Sequence, residues 1–283
     1  MYRYSSSSKQ MAFRSSTPLS NEDIARYAPS VLADTAHESR GQKYTFIPTV
    51  NVIDGLRAEG FEPYEIRQTK TKDLSKREFT KHMVRMRHPD AISSDGEVPE
   101  LILINSHDGS SSYQLLAGFF RFVCSNGLIA GNIQSDVRVR HSGNVVHDVI
   151  EGSFKVLENV KQIGERIGDY KSISLNRSEQ ELFANTALQL RWEDKAPITA
   201  DRVLQANRYE DVKSDLWTTF NRVQENMIKG GLSGKTSTGR RMHTRGVSGV
   251  NENVRLNRAL WSLADGMAKL KSNVIDIETL EVA

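Results

Sequence analysis

Lys81, Arg85 and Arg87 lie at alternate positions of Phe79 to His88, a run that reads as a strand. Alternation then places them with Phe79 and Met83 on one face, while Thr80, His82, Val84 and Met86 share the other. Cations interleaved with an aromatic ring and a methionine suit a single nucleic-acid strand, because the charges neutralise phosphates and the flat or flexible groups receive bases. Asp136 to Arg140 repeats the pattern, with Arg138 and Arg140 facing outward and Val137 and Val139 inward. A solvated outer face, on which Lys and Arg blunt a sheet edge, gives the same pattern without a ligand.

The third concentration lies between Lys229 and Arg258, where Lys229, Lys235, Arg240, Arg241, Arg245, Arg255 and Arg258 face only Glu252. Six glycines between Gly230 and Gly249 make this stretch read as a flexible loop able to wrap a phosphate backbone, or as a plain linker. These local excesses matter because the whole chain is nearly neutral, with 38 Lys+Arg against 35 Asp+Glu over 283 residues. From Ile66 to His88 alone, eight basic residues oppose Asp73 and Glu78. Near-neutrality is therefore a cancellation of unlike segments.

Other chemistries find weaker footing. Gly230-Gly231-Leu232-Ser233-Gly234-Lys235-Thr236 resembles a phosphate-binding loop, but the motif needs glycine five positions before Gly234, where Lys229 stands. His107 and the single cysteine, Cys124, are the candidates for a nucleophilic pair; Asp108-Gly109-Ser110 reads equally as a turn and Cys124 as a small buried hydrophobe. His82, His107, His141, His147 and His243 show no metal-ligand spacing, so neither metal nor cofactor is expected. One cysteine excludes an internal disulfide and points to a reducing cytoplasm. No run approaches the roughly 20 apolar residues of a membrane span.

The elements that must carry these groups follow from periodicity. Val52, Ile53 and Leu56 mark a short helix ending near Gly60, and an extended segment begins at Phe61. Leu101 to Ile104 reads as a strand buried on both faces, whereas Ser111 to Gly131 fits strand or helix. A long helix runs from Val145 to about Tyr170, and further helices are expected over Glu179–Trp192, Ala200–Asn207, Asp215–Ile228 and Glu252–Leu270. Strands that cluster before helices predict an α+β protein, with an antiparallel sheet of three to five strands packed on the long helix and a helical C-terminal third. The expected divisions are a flexible arm over 1–40, a nucleic-acid-binding core over 41–175 and a helical region over 176–283 that contains the 230–249 loop.

Ile104-Asn105-Ser106-His107-Asp108-Gly109-Ser110, Arg121-Phe122-Val123-Cys124-Ser125-Asn126-Gly127 and Trp217-Thr218-Thr219-Phe220-Asn221 together resemble the phage/plasmid-like protein family, a domain of unknown function found in prophages and plasmids. That resemblance implies a mobile-element protein in a bacterial cytoplasm and supplies no activity. In element order, a short helix, antiparallel strands and then a long helix, the chain is also similar to phage single-strand annealing proteins of the Erf and Redβ type. Those proteins share a β-β-β-α core, bind single-stranded DNA in a basic groove and form rings or filaments without hydrolysing nucleotide. The expectation is a non-enzymatic DNA-binding protein that promotes annealing in recombination and self-associates. Its phosphate-binding residues would be Lys81, Arg85, Arg87, Arg138, Arg140, Lys235, Arg240, Arg241 and Arg245, with Arg121 either beside them or fixing a turn. The competing reading is a mobile-element interaction protein, such as a counter-defence factor, whose basic faces dock on an acidic host protein.

Overall fold

The computed structural model describes residues 12–41, 44–88, 96–122, 126–130, 136–139 and 145–281. The chain forms two compact units that interleave in sequence: 1–122 with 133–159 and 248–251, and 123–132 with 160–247 and 252–283. The protein is α+β, with the antiparallel sheet in the first unit and most of the helix in the second.

In the first unit the strands are β1 (Ala12–Arg14), β2 (Glu62–Gln68), β3 (His82–Arg87), β4 (Glu97–Asn105), β5 (Tyr113–Arg121) and, after β6 (Asn126–Ile129) of the second unit, β7 (Val137–Val139). β1 to β5 pair antiparallel in chain order, and β7 pairs β5. Six strands of the first unit join this sheet, one more than the upper expectation, because Ala12–Arg14 falls within the expected arm. Residues 12–40 are structured: β1 pairs β2, Ser20 and Asp23 close a capping box on α1 (Asn21–Tyr27), and Phe13 stacks on Tyr27 at 4.2 Å. Apolar side chains hidden among the polar ones, Ile24 and Val31, are fully buried and hold this segment down.

The sheet is curled. Strands about 4.8 Å apart would put β1 and β5, four steps apart, roughly 19 Å from one another if flat, yet the Arg14 guanidinium lies 5.4 Å from the Phe120 ring. One face of this curl meets α2 (Thr49–Ala58), through Thr49, Val52, Ile53 and Leu56, all buried. Gly152 of α3 (Val145–Ser172) approaches Val137 and Leu115 so closely that a Cβ would stand 2.6 Å from Val137, which is why a small residue occupies that turn of the helix. The ambiguous Ser111 to Gly131 segment resolves as strand where it is described, since β4 pairs β5 over eight residues from Glu97 to Ile104.

The second unit is built around α6 (Leu216–Lys229), which Asp215 caps by accepting the Thr218 N–H at 2.8 Å. Every residue from Leu216 to Ile228 is buried, as befits a helix enclosed on all sides. Phe220 meets Trp261 edge to face, and Trp261 also packs on Tyr170. Around α6 lie the second half of α3, α4 (Arg177–Trp192), α5 (Ala200–Val203) and α7 (Val250–Glu281). The helix expected from Ala200 to Asn207 stops at Val203, and a short 3-10 turn, Tyr209–Asp211, follows.

Candidate functional site

The Gly-rich basic stretch is an ordered hairpin, which corrects the reading of a flexible loop. Gly230 ends α6 at φ 68°, and a Cβ there would stand 2.6 Å from the Arg245 backbone. Gly231 then donates to the Thr244 carbonyl at 2.8 Å and Thr244 to the Leu232 carbonyl at 2.9 Å, which opens β8 (Ser233–Lys235) and β9 (Arg241–His243). At the tip the Thr236 N–H bonds the Arg240 carbonyl at 2.9 Å and the Thr236 hydroxyl accepts the Arg240 N–H at 3.1 Å, with Gly239 at φ 81°. Glycine and threonine here are turn and cap chemistry, and a hairpin stands where a phosphate-binding loop would join a strand to a helix.

The ribbon has two unlike faces. Pairing sets Ser233 opposite His243 and Lys235 opposite Arg241, all four exposed, while Gly234 and Met242 share the inner face. That inner face abuts the segment between α4 and α5: the Lys235 N–H bonds the Pro197 carbonyl at 2.8 Å, and a Cβ on Gly234 would stand 2.1 Å from that oxygen. At the ribbon's base the buried Arg191 side chain donates to the carbonyls of Met227 and, at 2.6 Å, Arg245. Arg191 thus fixes the ribbon's base by bonding carbonyls, and only the predicted helix end at Trp192 could have hinted at it.

None of Arg202, Lys235, Arg240, Arg241 and Arg245 forms an ion pair with a described carboxylate. Like charges directly opposite in a ladder destabilise it, so the Lys235–Arg241 pair is a standing cost to the fold unless an anion lies between them. Four sequence-predicted residues, Lys235, Arg240, Arg241 and Arg245, are brought together here as exposed cations.

The basic strand faces fare differently. Lys81, Met83, Arg85 and Arg87 do share a face, but it is the inner face of the curl. Arg85 is fully buried, its Nε 2.6 Å from Glu100, and Arg87 reaches the other oxygen of Glu100 at 2.8 Å. The Arg87 guanidinium also lies 3.5 Å over Phe120 and 4.7 Å over Tyr64. On β2, Glu65 is held by Arg67 at 2.6 Å and by Arg14, and these arginines outweigh its burial and lower its pKa to about 2. Burial in this network removes Arg85 and Arg87 from any phosphate-binding surface. Lys81 donates to Asn251 at 2.9 Å, and its pKa is lowered by burial. Arg138 is half-exposed beside Asp136 at 4.0 Å, and Arg121 stands opposite Glu97 in the β4–β5 register. Arg140 and Cys124 lie outside the described residues.

His107 belongs to a buried polar cluster on the other face of the sheet. The Thr49 hydroxyl lies 2.9 Å from His82 Nε2, 3.3 Å from His107 Nε2 and 3.4 Å from the Tyr113 hydroxyl, and it accepts the Asn105 amide at 3.0 Å. Burial, reinforced by the neighbouring His107, holds the His82 pKa well below its ordinary value. Asp108-Gly109-Ser110 is a turn, in which Asp108 accepts the Ser110 N–H at 2.9 Å. No group of three or more metal-binding side chains occurs among the described residues, and no helix among them is long and apolar enough to cross a membrane.

Residues 36–261 match the model of a domain of unknown function (DUF932). The chain belongs to this family. It is also similar to the UPF0380 protein YafZ of Escherichia coli (strain K12), 46% identical over 255 residues that make up 90% of this chain and 93% of that protein. To the UPF0380 protein YfjQ of the same strain it is 47% identical over 253 residues, 89% of this chain and 92% of that one. No solved structure matches the chain. The family match spans both the ribbon and the buried clusters, and it agrees with the expectation of a family of unknown function. None of these matches carries the likeness to annealing proteins.

Proposed function

We propose that this protein binds nucleic acid through backbone phosphates on the β8–β9 ribbon, with single-stranded DNA as ligand, and promotes strand annealing without nucleotide hydrolysis. The observation that carries the reading is the set of exposed cations, Lys235, Arg240, Arg241 and Arg245, on one hairpin with no described carboxylate paired to any of them. Such a group gains affinity by neutralising phosphates and releasing counterions. The hairpin from Gly230 to Val247 contains no Phe, Tyr or Trp, so it holds the backbone and leaves most bases free to pair. Annealing requires that division. The antiparallel strands followed by α3 keep an element order similar to the β-β-β-α core of Erf- and Redβ-type proteins, which supports the same reading and an assembly into rings or filaments.

The test is fluorescence anisotropy of a labelled oligonucleotide across a salt series, followed by ATP-free annealing of complementary strands. Each phosphate neutralised on a single strand contributes about −0.7 to the slope of log K against log salt. Replacing Arg240, Arg241 and Arg245 by alanine should therefore flatten the slope by about 2. Unchanged binding in the triple variant, or no binding at low salt, overturns the proposal. In the latter case the ribbon's charge would favour docking on an acidic host protein.

A further inference from the structure

Beneath the ribbon lies an open groove of about 730 Å³ between Ala196–Thr199 and the β8–β9 strands. That size falls within the roughly 300–1,000 Å³ of small-ligand sites. Its lining is segregated in type. Pro197, Ile198 and Met242 supply apolar surface, while Arg202, Lys235 and Arg241 supply three cations with no ion-pair partner among the described residues. Backbone bonding between Lys235 and Pro197, and the lack of a side chain at Gly234, fix the two walls against each other. An inorganic anion has no use for the apolar wall, and an apolar ligand has none for the cations. A nucleotide uses both.

We infer that this groove seats one unstacked nucleotide of the bound strand, its base against Ile198 and Met242 and its phosphate on Lys235, Arg241 and Arg202. The inference rests on the nucleic-acid reading above and adds to it a discrete subsite. One nucleotide held out of the stack would fix the strand's register on the ribbon, while its neighbours stay available for pairing.

The experiment uses the full-length protein carrying ¹³C-labelled Met and Ile methyl groups, titrated separately with thymidine monophosphate, thymidine and inorganic phosphate. Thymidine monophosphate should shift the Met242 and Ile198 methyl signals, and phosphate alone should leave them in place. Met242→Ser should weaken thymidine monophosphate about five- to tenfold, through the lost apolar contact, without altering the effect of phosphate. If oligonucleotide binds the same sample but thymidine monophosphate leaves both methyl signals unmoved, the subsite is refuted and backbone binding stands. Equal shifts from phosphate alone also refute it, because the apolar wall would then contribute nothing. Failure of the oligonucleotide itself to bind refutes the parent proposal.

Discussion

Glu100 shows how one carboxylate decides what two arginines can do. It bridges Arg85 and Arg87 inside the sheet, and all three side chains are nearly or fully enclosed. Removing it leaves buried charge uncompensated, so Glu100→Gln should cost about 3–5 kcal/mol in urea unfolding, whereas Arg241→Ala on the exposed ribbon should stay within about 0.5 kcal/mol. The basic stretch from Ile66 to His88 excludes Glu65 and Glu100, the two acids that neighbouring strands place among these cations. Period-two alternation was legible and told which residues share a face. It carries no information about which face the curl encloses. Acid sensitivity also originates in single side chains. His82 has a folded pKa below that of the unfolded chain, so the unfolded state takes up the proton first as pH falls. Its contribution to stability is full above about pH 6.5 and is lost below it, at up to about 1.4 kcal/mol per pH unit. Glu65, lowered to about 2, adds a second loss beginning near pH 4.5. Urea midpoints measured from about pH 7.5 down to about pH 2.5 should decline in those two windows, and a His82→Gln variant that folds should lack the first.

At the level of elements, the ribbon depends on contacts that no local pattern announces. In the sequence Gly234 looks like loop composition, yet its role is to let the strand touch the Pro197 carbonyl. Gly234→Ala should push β8 off that carbonyl at a cost of about 1–3 kcal/mol, accelerate hydrogen exchange at the Lys235 amide and weaken oligonucleotide binding along with it. Arg191→Ala, which frees the carbonyls of Met227 and Arg245, should loosen the ribbon's base and likewise speed exchange at Val247, whose N–H bonds Ile228 at 2.8 Å. The long helices were legible because their apolar spacing spans many turns: α3 begins at the Val145 expected for it, and α4 and α6 lie within a residue or two of their predicted bounds. Three short strands were not: β1, β8 and β9 have three residues each and, unlike the equally short β7, lack a clean alternation of apolar and charged side chains.

For the whole molecule, the two units do not follow the expected cuts at residues 40 and 175, because each is assembled from segments distant in sequence. Chain order cannot reveal such interleaving, since contacts between remote segments define it. Self-association, if rings or filaments form on DNA, should appear in sedimentation velocity as a concentration-dependent shift that the Arg240/Arg241/Arg245 triple variant abolishes only in the presence of oligonucleotide. The sequence by itself determined the α+β class, the helical C-terminal region, the family and the existence of strongly basic segments within a balanced chain, because composition and long-range periodicity are properties of the string. Only the tertiary structure decided which basic segment meets solvent. The cations of β3 lie inside a curled sheet beside Glu65 and Glu100, and those of the ribbon lie outside with no described carboxylate paired to them; burial and the approach of remote acids, which separate the two, exist only once the chain is folded.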